Sequence, residues 1–203
     1  MRLTSENYQN FSRFIIVLVA ISATSAFGFH IVIDKLIPDF PFWPQLFLVD
    51  IPSTSVFFWL FFNLFDKYGW KWKFFRTIKI VDGPDLSGNW EGTFKSSFNN
   101  FTKEYPVTMT IAQTATKIEI HAKFNQSRSG SLTASFEKSN IDGTTALFFF
   151  YQNRPNADAL ETMAMHEGAC MLVFDPTTNL LAGNYYSGRN RHNHGDITLR
   201  KIQ

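Results

Sequence analysis

Cysteine is almost missing: Cys170 stands alone in 203 residues, so no internal disulfide staples the fold, and a reducing compartment suits the chain. A large net charge is missing too, and the formal value of +2 excludes a broadly basic nucleic-acid surface, so neither DNA nor RNA is an expected partner. No glycine-rich loop leads into a helix, which removes the phosphate cradle of nucleotide-hydrolysing enzymes. His166-Glu167-Gly168-Ala169-Cys170 lacks the second histidine of a zinc-protease helix. Read as a strand, it holds His166 and Cys170 ~13 Å apart, too far to share a proton. No enzyme activity is expected, and no cofactor. The most informative gap is the absence of Lys, Arg, Asp and Glu from Phe14 to Ile33.

At about 1.5 Å per residue, a helix over 14–33 crosses the ~30 Å hydrocarbon core of a bilayer. Thr24-Ser25-Ala26 offers the rival reading of a signal-peptide cleavage site, but the apolar run continues past it and a second run follows. That second run, 46–65, is dense in Phe, Trp and Leu, with Pro52 placed where the first turns of a helix tolerate it. Prolines 38, 41 and 44 break the chain between them, and Phe42 with Trp43 suits an interfacial anchor. Arg2 and Arg13 flank one end of this hairpin. Lys67, Lys71, Lys73, Arg76 and Lys79 flank the other, interleaved with aromatics in a way that suits anionic lipid headgroups. The positive-inside rule then puts both termini in the cytoplasm. Within the spans, His30 and Asp50 are ionisable groups that are costly in lipid unless partnered. They are candidates for helix–helix contact during membrane assembly, or for snorkelling to the interface.

Val81-Asp82-Gly83-Pro84-Asp85 is a break, and the hydrophobic period changes from helical to two beyond it. The chain therefore divides into a transmembrane hairpin with its basic segment, 1–81, and a domain over 82–203. Strand patterns run over 88–94, 105–112, 117–124, 130–136, 144–151, 165–174, 180–186 and 195–201, with an irregular insert at 153–162. Short turns and no helical crossovers argue for about eight strands in an up-and-down antiparallel β-barrel of lipocalin-like architecture; an open sandwich is the alternative. In Leu86-Ser87-Gly88-Asn89-Trp90-Glu91-Gly92, Trp90 is suited to closing the barrel floor. His192, His194 and Asp196 share one side of an extended segment, but nothing else supports a metal set there.

The hairpin, the Leu86 to Gly92 motif, Leu147 to Tyr151 with Asn153-Arg154-Pro155, His166-Glu167-Gly168, and Leu181 to Arg189 leading to Gly195-Asp196-Ile197-Thr198-Leu199 occur in that order. Together they resemble the two-transmembrane, β-strand-rich effectors of bacterial cyclic-oligonucleotide anti-phage signalling (CBASS), the SMODS-associated family. The resemblance implies a barrel that binds a cyclic dinucleotide or related messenger made by a cognate nucleotidyltransferase. It further implies self-association, disruption of the bacterial inner membrane and abortive infection. A cyclic dinucleotide offers phosphates to guanidinium groups and bases to aromatic rings. On that basis Arg128 and Ser129 on one turn, Tyr151, Asn153 and Arg154 at the end of another strand, and Tyr185, Tyr186, Arg189 and Arg191 near a third are the candidate ligand contacts. Two other functions fit the same architecture: a membrane-tethered carrier or sensor of an apolar small molecule, and an interaction module with a filled interior.

Overall fold

A computed structural model describes residues 5–37, 41, 44, 46–81, 83–139, 141–159, 163–188 and 191–202, in two compact units, Leu3–Asp82 and Gly83–Gln203.

In the first unit α1 spans Ser5–Leu36, 32 residues, longer at both ends than the uncharged stretch because no proline interrupts it before position 38. Its segment Asn10–Leu36, with mean hydropathy 2.2, is the one described helix both long and apolar enough to cross a membrane. The hydroxyls of Ser22, Thr24 and Ser25 donate to carbonyls one turn back, at 2.7, 2.9 and 2.9 Å, which hides them from an apolar surround. The second helical run differs from expectation. A π-helical turn, Leu46–Asp50, feeds α2, Ile51–Lys67, which has only 17 residues by itself. Pro52 in its first turn has no N–H for the carbonyl one turn back, and the helix widens there. Only the π turn and α2 together approach spanning length.

His30 and Asp50 are paired with each other inside this unit: Nδ1 lies 2.9 Å from Asp50 Oδ1, and Nε2 lies 3.2 Å from Asp34 Oδ2. Phe42 and Trp43 lie outside the described residues. After α2 a 3₁₀ turn, Gly69–Lys71, and a short helix α3, Lys73–Thr77, carry the basic cluster. Phe14, Phe65 and Phe75 tie them to α1, with ring centroids 4.2 and 5.0 Å apart along the chain of three.

The second unit is a closed barrel of eight antiparallel strands in sequence order. They are β1 (Gly88–Ser96), β2 (Glu104–Gln113), β3 (Ile118–Phe124), β4 (Ser127–Lys138), β5 (Thr145–Pro155), β6 (His166–Asp175), β7 (Leu180–Ser187) and β8 (His194–Lys201). β1 pairs with β8 from Trp90↔Lys201 to Ser96↔Gly195, so no edge is left open and the sandwich alternative is excluded. The largest departures from the sequence pattern are at one end of the barrel. β4 begins at Ser127, directly after the bend at Asn125-Gln126 that follows β3, and β5 continues to Pro155, so that Ser127 pairs with Pro155. The insert shrinks to a 3₁₀ turn, Ala157–Ala159, with 160–162 outside the described residues.

Alternation places every second side chain inside. At one end Leu86, Trp90, Leu147, Leu172, Leu181 and Leu199 are fully buried. Burying such a side chain contributes about 1.5–3 kcal/mol. Trp90 Nε1 donates to the Leu86 carbonyl at 2.9 Å, so the largest ring closes this floor without an orphaned donor. The incoming segment is stapled beneath it. Gln113 accepts from Leu86 N at 2.9 Å and donates to the Pro84 carbonyl at 3.0 Å, while Lys201 Nζ donates to the Asp85 carbonyl at 3.3 Å. The chain thus enters at the closed end, and the opposite end is free to open.

Candidate ligand-binding cavity

The interior changes character along the strands. Above the apolar floor lies a cavity of about 310 Å³, at the lower end of the range of small-molecule sites. Its deep wall is Met109, Ala122, Phe149 and Ile197; its mouth carries Ser96, Ser127, Ser129, Asn153, Ser187, Arg191 and Asn193, with aromatic rings from Phe94, Phe124, Tyr105, Tyr151 and Tyr185. Ser22, Ser96, Ser127, Ser129 and Asn153 are the buried polar residues described in the chain, and all but Ser22 line this cavity. Their concentration sets this end apart from the apolar floor, and two of them are partnered within the chain: Ser96 Oγ accepts from Phe98 N at 3.2 Å and Asn153 Nδ2 donates to Met163 Sδ at 3.5 Å.

The two inner tyrosines are set by glycines on neighbouring strands. A Cβ on Gly168 would stand 2.4 Å from the Tyr151 ring, and one on Gly195 would stand 2.5 Å from the Tyr185 ring. Each ring therefore lies flat across a strand that has no side chain to push it away. Tyr151 Oη donates to the Tyr186 carbonyl at 3.3 Å. Burial pushes Tyr151 up to about 12, against the lowering effect of its hydrogen bond with Ser187, and burial raises Tyr185 as well. Both remain neutral phenols near neutrality, able to stack and to donate. Burial also pushes the Cys170 thiol up to about 12, which makes it a packing group and not a nucleophile. His166 is lowered by burial and is held neutral. Its Nδ1 lies 3.0 Å from the Ala164 carbonyl, which can only accept, so Nδ1 carries the proton and Nε2 is left as an acceptor.

Arg191 is the one formally charged side chain among the described lining residues. With the Asn193 amide in its hydrogen-bonding orientation, Asn193 Oδ1 accepts from Arg191 Nε at 3.2 Å and the amide nitrogen donates to the Arg191 carbonyl at 3.1 Å. The guanidinium is thus held by its inner nitrogen, which suits its outer fork to an anion.

Of the residues singled out in the sequence, Ser129, Tyr151, Asn153, Tyr185 and Arg191 come together in this cavity. Arg128, Arg154 and Tyr186 do not. Each is the immediate neighbour of an inward residue, and a strand cannot turn both sides to one face. Arg128 and Arg154 face outward and are exposed, and Arg154 donates through Nε and Nη2 to Gln152 Oε1 at 3.2 and 3.1 Å. Tyr186 is 57 % exposed and contributes its carbonyl rather than its ring. Arg189 lies outside the described residues. Lys123, Arg128 and Arg154 occupy adjacent register positions on β3, β4 and β5, a cationic ridge on the outer wall beside the mouth. His194 and Asp196 face outward on β8, with Asp196 accepting from Asn184 at 2.7 Å, and no group of three metal-ligating side chains occurs among the described residues. Sequence reading missed Ser127 and Ser187, which stepping two residues from Ser129 and Tyr185 would have found. It also missed Ser96 and Tyr105, for which only the register of β1 and β2 against their neighbours carries the signal.

Residues 81–201, the whole barrel, match the family model described as the Cap15 cyclic dinucleotide receptor domain. The chain belongs to this family. A relative, CD-NTase-associated protein 15 of Yersinia aleksiciae, is 30% identical over 141 residues, covering 68% of this chain and 64% of that protein. The chain thus spans a little under two thirds of that relative's length in the match. By family, residues 81–201 are therefore a Cap15-type cyclic dinucleotide receptor domain.

Proposed function

We propose that the barrel receives a cyclic dinucleotide through its open end and that occupancy is relayed to the membrane hairpin. The observation that carries this reading is the cavity itself: stacking rings, neutral hydrogen-bonding groups and one oriented guanidinium, gathered at one end of an otherwise apolar barrel. Tyr151 and Tyr185 present faces to a base, Asn153 and Ser129 read polar edges, and Arg191 takes a phosphate. Serine hydroxyls at 96, 127 and 187 serve the remaining oxygens. Arg128 and Arg154 act from outside: with Lys123 beside them they form a row of three cations across neighbouring strands, which draws a doubly anionic ligand toward the mouth. A purely apolar metabolite would make no use of the Arg191 guanidinium or of the hydroxyls at the mouth, which disfavours the carrier reading.

The source of the ligand is a partner nucleotidyltransferase, and the site of action is the bacterial inner membrane with both termini and the barrel in the cytoplasm. Binding favours self-association of the hairpins and loss of membrane integrity, leading to abortive infection. In this scheme the His30–Asp50 pair, partnered within one hairpin, lets both groups stay in an apolar surround and is available to be re-partnered on assembly. Calorimetric titration of the full chain with a panel of cyclic di- and trinucleotides, with linear dinucleotides as controls, tests the first step. Saturable binding of one cyclic member is expected; no binding across the panel would sink the proposal.

A further inference from the structure

A second cavity, of about 890 Å³, lies wholly within the hairpin unit. Its walls are one face of α1, one face of α2 and the segment that follows α2. Arg13, Val17 and Ile21 sit on the α1 wall at helical spacing, and Phe61 and Leu64 on the α2 wall, with Tyr68 just past the end of α2. Phe14 and Phe65, with ring centroids 4.2 Å apart, belong to both the cavity lining and the helix contact.

The groove wall is almost wholly apolar, and the charges near it gather around one end. Arg13, Tyr68 and Trp72 stand at one end, and Lys67 and Lys71 adjoin the lining there, with Lys67 Nζ 5.2 Å from the Tyr68 ring centroid. Ile21 and Phe61 stand at the other. From Arg13 to Ile21 is about 12 Å of helix, a fair length of acyl chain. An apolar groove with cations around one end only has the profile of an amphiphile with a negative head.

We propose that the hairpin carries a binding site for one anionic phospholipid, with its phosphate at Arg13 and the neighbouring lysines and an acyl chain along the groove toward Ile21. Charge decides the occupant. A second copy of the chain would bring its own cations to the same end, whereas an anionic lipid complements them. The inference rests on the reading of the hairpin as a membrane element, but not on nucleotide binding by the barrel.

The full chain is placed in nanodiscs of equal phosphatidylglycerol and phosphatidylcholine, released, and weighed by native mass spectrometry. One retained phosphatidylglycerol per chain is expected, favoured over phosphatidylcholine by at least about fivefold, the factor that one cation beside an anionic surface is worth. Arg13→Gln should bring the two lipids toward parity, and Ile21→Trp, which fills the groove, should lower retention of both. Failure of the chain to enter nanodiscs overturns the membrane reading and the site with it. Entry followed by equal retention of both lipids, or by lipid-free dimers, overturns the lipid site alone.

Discussion

The two ends of the barrel are made from the same eight strands, yet they obey different rules. At the closed end the inward positions are Leu, Ile and Trp, fully buried, and even the indole nitrogen is satisfied within the chain. At the open end the same strands turn Ser, Asn and Tyr inward, and the segment between β7 and β8 adds Arg191, around a space of about 310 Å³. On β6 the change takes a few residues, from Leu172 through Cys170 to Gly168, which is bare so that Tyr151 can lie over it. The difference teaches that one set of strands can carry an apolar floor and a polar mouth a few residues apart.

The sharpest test of that division is Trp90→Ala, which should cost about 3–5 kcal/mol in chemical denaturation. Tyr185→Phe at the open end should cost well under that, and equal losses would mean that the open end is core as well. Arg191→Ala should weaken cyclic dinucleotide binding by about 10- to 100-fold in calorimetry, the worth of a hydrogen bond to a charged group, with the melting temperature unchanged. Gly168→Ala brings a Cβ to 2.3 Å from the Tyr186 carbonyl and should cost about 1–3 kcal/mol together with ligand affinity. Gly130→Ala, where the nearest atom is an ordinary 3.5 Å away, is its control.

Smaller effects separate the inner wall from the outer. Arg128→Ala combined with Arg154→Ala should slow ligand association several-fold at low salt and leave dissociation alone, measured by stopped flow. If dissociation accelerates instead, the outer ridge is a contact and the steering role is wrong. Acid should also reach the two ends at different pH. Burial holds the folded-state His166 below 6.5, so the unfolded chain takes up its proton first, and the stability of the neutral form is lost as pH falls from 6.5 toward the folded value. At the closed end Asp142 and Asp175 are lowered from 3.8 to about 2 by turn hydrogen bonds with Ser139, Thr144, Thr177 and Thr178, so their contribution is lost only between 3.8 and about 2. Hydrogen exchange followed down the pH scale should therefore show the mouth loosening before the floor turns.

Much of this architecture was legible before any coordinates. The eight strands were readable because an apolar residue recurs at every second position between turn residues, and Trp90 falls in a glycine-flanked opening strand. The second helix was less so: its composition gave no warning that the π turn at Leu46–Asp50 would leave α2 with 17 residues. The cavity was half legible. Aromatic and cationic residues near strand ends drew attention to the right neighbourhoods, but Arg128 beside Ser129, and Arg154 beside Asn153, each posed a choice that a list of residue types cannot make.

Composition and periodicity alone determined an apolar N-terminal helical region followed by a β domain of about eight strands, because burial of alternating side chains is a local, one-dimensional constraint. Closure of β1 on β8, and the face on which each side chain falls, were decided only by the tertiary structure. Register is a property of pairs of strands: it brings Ser96 and Tyr185 to one mouth from positions far apart in the chain, and a shift of one residue would turn the whole lining outward.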